Sequence, residues 1–284
     1  MRKIEINERN DFKILQLTDL HLMNLPADNI TFDLIQKLVK KTDPDLIIIT
    51  GDMTMCQHQD ILDRYLQVLM DKMNKPWTFV FGNHDEEGPL TKEELAAILS
   101  VGPQCMYENT PGLSGVGNHL IVIEKNGTPI YKLFMLDSLR DRIDTVSDQK
   151  IWSYDFIKDD QIDWVMNQTN QVHSLLFFHI PLPEFKEAKL FPSFKGEFNE
   201  GVCSSNYQTN LFEKAVESGV IQGIFVGHDH VNDFSFEKEG ILLAYGRCTG
   251  HYDYTLPSFI KGGRLITINT LGEMNTEVIL ETEI

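Results

Sequence analysis

The chain has 284 residues, 42% of them hydrophobic and 24% charged, and a formal net charge of −17 at pH 7. These values are ordinary for a globular protein, and the length is enough to bury a large core. The strong negative charge disfavours a protein whose main task is to grip nucleic-acid phosphates, because such proteins carry a basic surface, and it disfavours adsorption to anionic membranes.

The first half of the chain alternates strand and helix patterns. In chain order the predicted elements are a strand over 12–17, a helix over 29–41, a strand over 46–49, a helix over 60–73, a strand over 77–81 and a helix that begins at Thr91. Asp43-Pro44-Asp45 ends the first helix, and Thr91-Lys92-Glu93-Glu94 is a capping box. This βαβα order predicts a mostly parallel sheet with right-handed crossovers.

The second half is richer in strands. The predicted strands are 119–124, 130–136, 175–178, 221–226, 234–236, 241–245, 264–270 and 277–280, with helices over 159–168 and 206–218. Asn126-Gly127 predicts a hairpin turn, and Gly219 ends the second of these helices. We expect the strands after residue 234 to complete a second sheet. The segment 184–205 has a loop-like composition, typical of either a substrate-facing lid or an ordinary surface connection.

Polar clusters follow several of the predicted strands. They are Asp19-Leu20-His21, Gly51-Asp52, Gly82-Asn83-His84-Asp85, His179 and Gly227-His228-Asp229-His230. A single Asp-x-His, a Gly-Asp turn or a lone histidine is weak evidence, since each is more often structural, whereas Gly-Asn-His-Asp and Gly-His-Asp-His are stronger signals. In open α/β sheets, however, ligands bind at the carboxyl ends of strands, where the first three clusters fall. A glycine before a polar cluster also favours a tight, exposed turn. The conjunction therefore predicts one site.

These side chains are the donors that a two-metal hydrolase needs. Two divalent ions about 3.5–4 Å apart can turn a bridging water into hydroxide and can neutralise charge on phosphoryl oxygens. Asp52 is expected to bridge them, because a carboxylate has two oxygens. Asp19 and His21 are two residues apart and so project to one side of an extended strand end. The expected metal ligands are Asp19, His21, Asp52, Asn83, His179, His228 and His230. Such donors suit Mn, Fe, Zn or Co.

Other polar residues are candidates for catalysis or substrate binding. His84 would lie at the rim of the site, where it could give a proton to the leaving group. Asp85 is expected to hold the His84 ring in position. Arg247 could bind a phosphate bidentately or could form a surface salt bridge, and nearby His251 is a second possible substrate residue. The remaining histidines, His58, His119 and His173, are expected to be surface or structural residues.

From about Phe12 to about Phe234 the motifs resemble the calcineurin-like metallophosphoesterase superfamily. The resemblance implies an α/β fold, a four-layer α/β/β/α sandwich with two mixed β-sheets, and we expect a single domain over 1–284. It implies one metal held by Asp19, His21, Asp52 and His230. It implies a second held by Asp52, Asn83, His179 and His228, with Asp52 bridging, and it makes His84 the catalytic histidine.

A finer resemblance is to the branch that contains the Dcr2-type phosphatases and the plant purple acid phosphatase 29 group. The motifs that carry it are His179–Glu184, Gly227–Asp233, Tyr245–Arg247, Leu136–Ser138 and the segment from Tyr154 to Trp164. Two positions differ from true purple acid phosphatases. His21 stands where those enzymes have glycine, and Met55 stands where they have an iron-binding tyrosine. An Fe(III)-tyrosinate centre is therefore not expected.

Cysteine usage and the N-terminus indicate the compartment. Cys56, Cys105, Cys203 and Cys248 are scattered without a Cys-x-x-Cys pair, which excludes a zinc ribbon and fits a reducing environment. The charged N-terminus lacks the apolar run of a signal peptide, and no stretch approaches the ~20 apolar residues of a membrane span. A cytoplasmic location is the expectation.

The sequence leaves three functions open. The leading hypothesis is a metal-dependent phosphohydrolase that acts on a monoester or diester, either of a small molecule or of a phosphoprotein, through a bridging hydroxide. A nuclease or nucleotide phosphodiesterase could use the same site, although the acidity argues against long nucleic acids. A non-catalytic scaffold with the same fold is the third, and the complete set of expected ligands argues against it.

Overall fold

Two mixed β-sheets lie face to face at the centre of the fold. The computed structural model describes residues 1–6, 10–23, 26–55, 58–146, 149–252 and 254–284. From edge to edge, the larger sheet is formed by β1 (Arg2–Glu5), β5 (His119–Lys125), β6 (Thr128–Met135), β9 (Ser174–Phe177), β10 (Ile221–Val226), β12 (Ile241–Tyr245) and β11 (Ser235–Lys238). The smaller sheet is formed by β14 (Met274–Leu280), β13 (Gly262–Asn269), β2 (Asp11–Leu17), β3 (Leu46–Thr50) and β4 (Trp77–Val80).

Helices cover the outer face of each sheet. The helices α1 (Pro26–Thr42), α2 (Gln59–Lys72) and α3 (Lys92–Leu99) pack on the smaller sheet, and α4 (Asp159–Thr169) and α5 (Leu211–Ser218) pack on the larger one. A third apolar cluster fills the space between the two sheets. The result is the α/β/β/α sandwich that the family resemblance implies.

Buried strands explain this layering. In β2, Leu15 and Leu17 face the helices while Phe12 and Ile14 face the other sheet. Successive side chains of a strand point to opposite faces, so a strand covered on both sides must be apolar throughout. β3 meets the same demand, and every residue in it is buried. The continuous apolar runs that end in polar clusters are therefore the central strands.

Two local predictions from the sequence are confirmed, one at a helix cap and one at a hairpin turn. Thr91 caps α3 with a reciprocal pair of hydrogen bonds, in which the Glu94 amide donates to Thr91 Oγ1 and the Thr91 amide donates to Glu94 Oε2. Asn126 and Gly127 join β5 to β6 with φ angles of 53° and 72°. Positive φ at both residues is what a two-residue hairpin turn requires.

The expectation that all strands after residue 234 complete the second sheet is wrong for the last two. β11 and β12 do join the larger sheet, but β13 pairs antiparallel with β2 and therefore returns to the smaller sheet. The cause is not local, because an apolar strand such as β13 fits either sheet until its neighbours are known. The predicted helix over 206–218 also begins later, at Leu211.

Other parts of the second half differ from the prediction. A separate hairpin of β7 (Asp141–Val146) and β8 (Gln149–Tyr154) was not predicted. The segment 184–205 packs against the rest of the fold, because its 3-10 helix Pro183–Leu190 buries Phe185, and bridges at Lys195 and Phe198 tie it to the chain around β11. Cys56 lies outside the described residues. Among those residues, no helix has the length and apolar character to cross a bilayer.

A buried ion pair anchors α3 to the end of β6. Lys92 Nζ lies 3.0 Å from both carboxylate oxygens of Asp137, and both side chains are at most 5% exposed. We expect Lys92→Met to lower the free energy of unfolding by about 3–5 kcal/mol, because it leaves the Asp137 charge buried without a cation.

Urea denaturation monitored by circular dichroism measures this loss. Lys75→Met is the matched control, since Lys75 pairs with an exposed Asp43 and such surface pairs contribute about 1 kcal/mol or less. Equal losses in the two variants would contradict the assignment.

Candidate metal centre

The polar clusters converge at one edge of the sandwich. Asp19 and His21 follow β2, Asp52 follows β3, and His179 follows β9. His179 Nε2 lies 3.0 Å from Asp52 Oδ2, and His21 Nε2 lies 3.5 Å from the same oxygen. His230, which follows β10, brings its Nε2 to 3.5 Å from Asp19 Oδ1. Residues from both sheets thus meet across the interface.

The donors form two groups that share one carboxylate. Within each group the ligand atoms all lie within 4.8 Å of one another, so each group could hold a metal ion. One group is Asp19, His21, Asp52 and His230, and the other is Asp52, His179 and His228. Every member is at most 7% exposed. Asp52 belongs to both groups and lies between them.

One buried atom points to a ligand that the protein itself does not provide. Asn83 Oδ1 has no hydrogen-bond partner among the described residues, whereas His228 faces the site with Nδ1, which lies 3.3 Å from His179 Nε2. A buried polar atom without a partner is costly, so such atoms are rare in native proteins. An amide oxygen and an imidazole nitrogen beside carboxylates are suitable donors for a transition metal. The residues present therefore fit a pair of divalent cations.

The local charges keep the two carboxylates ready to bind a cation. Burial raises the pKa of the Asp19 carboxyl, but the hydrogen bond and charge of His230 outweigh it and leave the pKa lowered. Asp52 behaves in the same way, with His179 as the main opposing charge. Burial and the charge of His179 lower the pKa of His228 to about 3. The charge and hydrogen bond of Asp52, however, outweigh burial and raise the pKa of His179 to about 9. Metal binding requires ionised carboxylates and neutral imidazoles, so an ion that binds His179 must displace its proton.

A backbone carbonyl orients His179. Its Nδ1 lies 2.8 Å from the carbonyl oxygen of Thr50 at the end of β3. Donation from Nδ1 leaves Nε2 directed at Asp52, and this kind of support is usual for metal-binding histidines. Gly51 makes the approach possible, since it has a φ of +89° and a Cβ at this position would lie 2.5 Å from His179 Nδ1. The sequence predicted a tight turn here, and the structure adds that the turn must accommodate a histidine.

Several of the ligand candidates have unusual backbone conformations. The φ angles are 52° at Asp19, 42° at His21, 51° at Asp52 and 86° at His228. Residues other than glycine rarely adopt positive φ, which costs of the order of 1–3 kcal/mol at each position. Such strain persists only where the surrounding structure enforces it, and it concentrates at functional sites.

Asp85 does not hold the His84 ring, so that expectation is wrong. Its carboxylate instead accepts backbone N–H groups at 2.7–3.1 Å, from Gly82 and from the three residues 52–54. The carboxylate is fully occupied and fastens the loop after β3 to the loop after β4. The His84 ring contacts Glu87, whose Oε1 lies 3.0 Å from Nδ1.

The structure also contradicts both suggested substrate residues. Arg247 is 1% exposed, and its guanidinium donates to Glu197, Asp233 and the carbonyl of Ile260. It is a buried structural cation, neither a phosphate ligand nor a surface salt bridge. The His251 ring lies 3.3 Å from Thr31 Oγ1 and 3.0 Å from Glu281 Oε2. Both side chains are engaged in contacts with other parts of the protein. Residue type alone does not reveal such contacts.

His119 is structural, as expected. It is buried, with its ring nitrogens beside Thr78 Oγ1 and the carbonyl oxygen of Gly117. Sequence reasoning missed two aromatic residues that contact the ligand candidates. The Tyr154 ring packs edge-on against the His228 ring, with 4.4 Å between the ring centroids. The Tyr254 ring stacks on the His230 ring, with 4.3 Å between the ring centroids. Tyr154 stands at the end of β8, in a segment whose pattern predicted no strand, and Tyr254 lies in an irregular segment after β12.

Comparison with known proteins agrees with the geometry. The model of the family described as "calcineurin-like phosphoesterase" matches residues 12–232 of this chain. The chain is 28% identical to an Arabidopsis thaliana protein named "probable inactive purple acid phosphatase 14", over 93% of this chain and 77% of that one. It is 31% identical to the phosphatase DCR2 of Saccharomyces cerevisiae, over 86% of this chain and 49% of that one. A dimetal phosphatase from Danio rerio has a similar fold, with a TM-score of 0.62 and 11% identity over 94% of this chain and 98% of that one.

The tight approach of Gly82 to Asp52 gives a test of the site. A Cβ at residue 82 would overlap the Asp52 carboxylate, whereas one at Gly201 would meet nothing within 4 Å. We expect Gly82→Ala to weaken Mn²⁺ binding about 10- to 100-fold, the effect typical of disturbing the support of a metal ligand. Calorimetric titration measures it, with Gly201→Ala as the control. Unchanged affinity in Gly82→Ala would show that the ion binds elsewhere.

Proposed function

Because the chain belongs to the calcineurin-like phosphoesterase family, we propose that it hydrolyses phosphate monoesters or diesters with two divalent metal ions. The observation that carries the proposal is the pair of buried donor groups that share Asp52. A single ion would need only one group. A shared carboxylate between two groups is the arrangement that a two-metal hydrolase uses to hold its ions close together.

We assign the donors to the ions by the two groups and add Asn83 to the second. Asp19, His21, Asp52 and His230 would hold one ion, and Asp52, Asn83, His179 and His228 would hold the other. The carboxylate, imidazole and amide donors favour manganese, iron or zinc. When bound, such a pair supplies a nucleophile at neutral pH and neutralises charge on the phosphoryl oxygens. The protein's contribution is to hold the donors in a buried, preorganised arrangement.

His84 has the position of a proton donor to the leaving group. It follows Asn83 directly, its ring centroid lies 5.4 Å from that of His21, and its side chain is 33% exposed. The ring therefore borders the proposed ions on one side and solvent on the other. A histidine in this position can protonate the departing alkoxide or stabilise its charge. Glu87 Oε1 lies 3.0 Å from His84 Nδ1, within ion-pair range of the ring, and we propose that it positions His84.

The comparisons also raise a non-catalytic scaffold, since the Arabidopsis relative is named as probably inactive. In this chain the candidate ligands converge in two groups, and His84 lies at their rim. These features support catalysis. A small phosphorylated molecule or a phosphoprotein fits the net charge of −17 better than a long nucleic acid does. We propose a cytoplasmic enzyme with these substrates.

The central test combines metal content with turnover. We expect the Mn²⁺-loaded wild type to hydrolyse p-nitrophenyl phosphate or its bis-ester, and His84→Ala to bind metal normally while kcat falls by about 10²–10⁴-fold. Metal content is measured by elemental analysis. His173→Ala is the matched histidine control, because His173 precedes β9, at the opposite end of that strand from His179. An inactive wild type, tested with Mn²⁺, Fe²⁺ and Zn²⁺, would support the scaffold instead.

Glu87 and Asp85 should differ in their effects. As a positioning residue, Glu87 acts through His84, so Glu87→Gln should lower kcat about tenfold, equivalent to roughly 1.4 kcal/mol of transition-state stabilisation, with KM and metal content unchanged. Glu87→Asp should recover part of the rate. Asp85→Asn should instead weaken metal binding, because it breaks the backbone bonds around Asp52. A loss of metal in Glu87→Gln would refute this division of roles.

A further inference from the structure

An apolar strip extends outward from the metal centre along the β7–β8 hairpin. Tyr154, Trp152 and Ile143 lie on one face of the hairpin, because Ile143 pairs with Trp152 and residues two apart on a strand share a face. Tyr154 contacts His228, and Trp152 packs edge-on against Tyr154 with 4.7 Å between ring centroids. Trp152 is 52% exposed and Ile143 is 63% exposed. The strip is thus buried at its inner end and open at its outer end.

The opposite face of the hairpin is fixed to the protein. Ser153 is buried and accepts a hydrogen bond from the Asn206 amide at 2.9 Å. Arg142 lies over the Tyr207 ring at 4.7 Å. These contacts hold the hairpin in place, so the orientation of the strip toward the centre is determined by the fold. The exposed Trp152 and Ile143 are paired neighbours beside the site, and contiguous exposed apolar surface often marks a binding site.

A chain of polar contacts connects the strip to His84. Trp152 Nε1 donates to Asp141 Oδ2 at 3.0 Å, and Arg140 Nε lies 2.9 Å from Asp141 Oδ1. The Arg140 guanidinium continues to Glu87 Oε1 at 3.8 Å, and that oxygen contacts His84. The tryptophan is therefore oriented by the same network that holds the proposed proton donor. The strip and His84 therefore belong to one connected border of the site.

We propose that the strip is the leaving-group subsite and that the enzyme prefers phosphate esters of uncharged aromatic alcohols. The proposal rests on the phosphohydrolase function and names its substrate class. An aromatic group on the ester oxygen would stack on Trp152 while the phosphoryl group meets the ions and His84 faces the ester oxygen. Aromatic pairs gain from stacking beyond the area that they bury.

Charge selects against anionic leaving groups. Glu87 and Asp141 lie along the path between His84 and the strip, and the Arg140 cation contacts both carboxylates. A second phosphate or a carboxylate on the leaving group would meet this acidic border. A neutral aromatic ring meets no such repulsion and removes the apolar surface of Trp152 from water.

Two esters of unactivated alcohols test the subsite, because benzyl phosphate carries the ring and ethyl phosphate does not. Relative to the wild type, Trp152→Ala should lose about tenfold in kcat/KM for benzyl phosphate, which corresponds to about 1.4 kcal/mol of lost stacking and burial. Its kcat/KM for ethyl phosphate should stay within about twofold. Trp152→Phe should retain most of the selectivity, since it keeps an aromatic face. Ile151→Ala is the control, because Ile151 is 41% exposed on the other face of the same hairpin.

A binding measurement separates the subsite from the proposed reaction. The Kd of benzylphosphonate, which is not hydrolysed, should rise about tenfold in Trp152→Ala and remain unchanged in Ile151→Ala. Equal Kd values in the wild type and Trp152→Ala, or equal losses for both esters, would overturn the subsite. Failure of the wild type to hydrolyse these two esters, p-nitrophenyl phosphate and its bis-ester would instead overturn the proposed function, and the phosphonate would still decide whether the strip binds an aromatic ring. Melting temperatures of the variants show whether the hairpin remains folded.

Discussion

The Asp85 carboxylate is the point on which the centre depends. Its two oxygens accept N–H groups from Gly82 and from residues 52–54, so that one buried side chain fastens the ends of β3 and β4 together. Asp52, the carboxylate common to both donor groups, lies inside this clasp. Burial and the charge of Asp52 raise the pKa of Asp85 to about 6, which shows the electrostatic cost of placing two carboxylates so close. The backbone hydrogen bonds offset that cost.

The buried ligand candidates around Asp85 and the partly exposed rim of the site differ in character. The candidate ligands are buried, and several have strained positive φ angles that the packed strand ends enforce. The rim is different, since His84, Glu87 and the β7–β8 hairpin are partly exposed and are joined by polar contacts near the surface. A centre of this kind can hold cations firmly while its border varies. Differences in substrate among relatives with the same strand ends are therefore expected to lie in such borders.

The corrected assignments share one physical cause. Asp85, Arg247 and His251 have side chains of the right chemistry near the right strand ends, yet their donors and acceptors are occupied by backbone groups or by other side chains. Whether a polar group is available depends on the hydrogen bonds that the rest of the chain offers it. Glu87, by contrast, reaches His84 because the loop after β4 brings them together.

Much of the fold and the candidate ligands follow from local pattern. Apolar runs identify the central strands, and strand ends in a parallel sheet meet at one edge, so Asp19, Asp52 and Asn83 could be placed together without coordinates. The return of β13 to β2, the position of the β7–β8 hairpin and the contact of Tyr154 with His228 depend on pairings between distant segments. Such pairings have no local signature, because an apolar strand or an aromatic side chain fits many partners until packing selects one. The chemistry was thus decided by the sequence, and the shape of the substrate border by the tertiary structure.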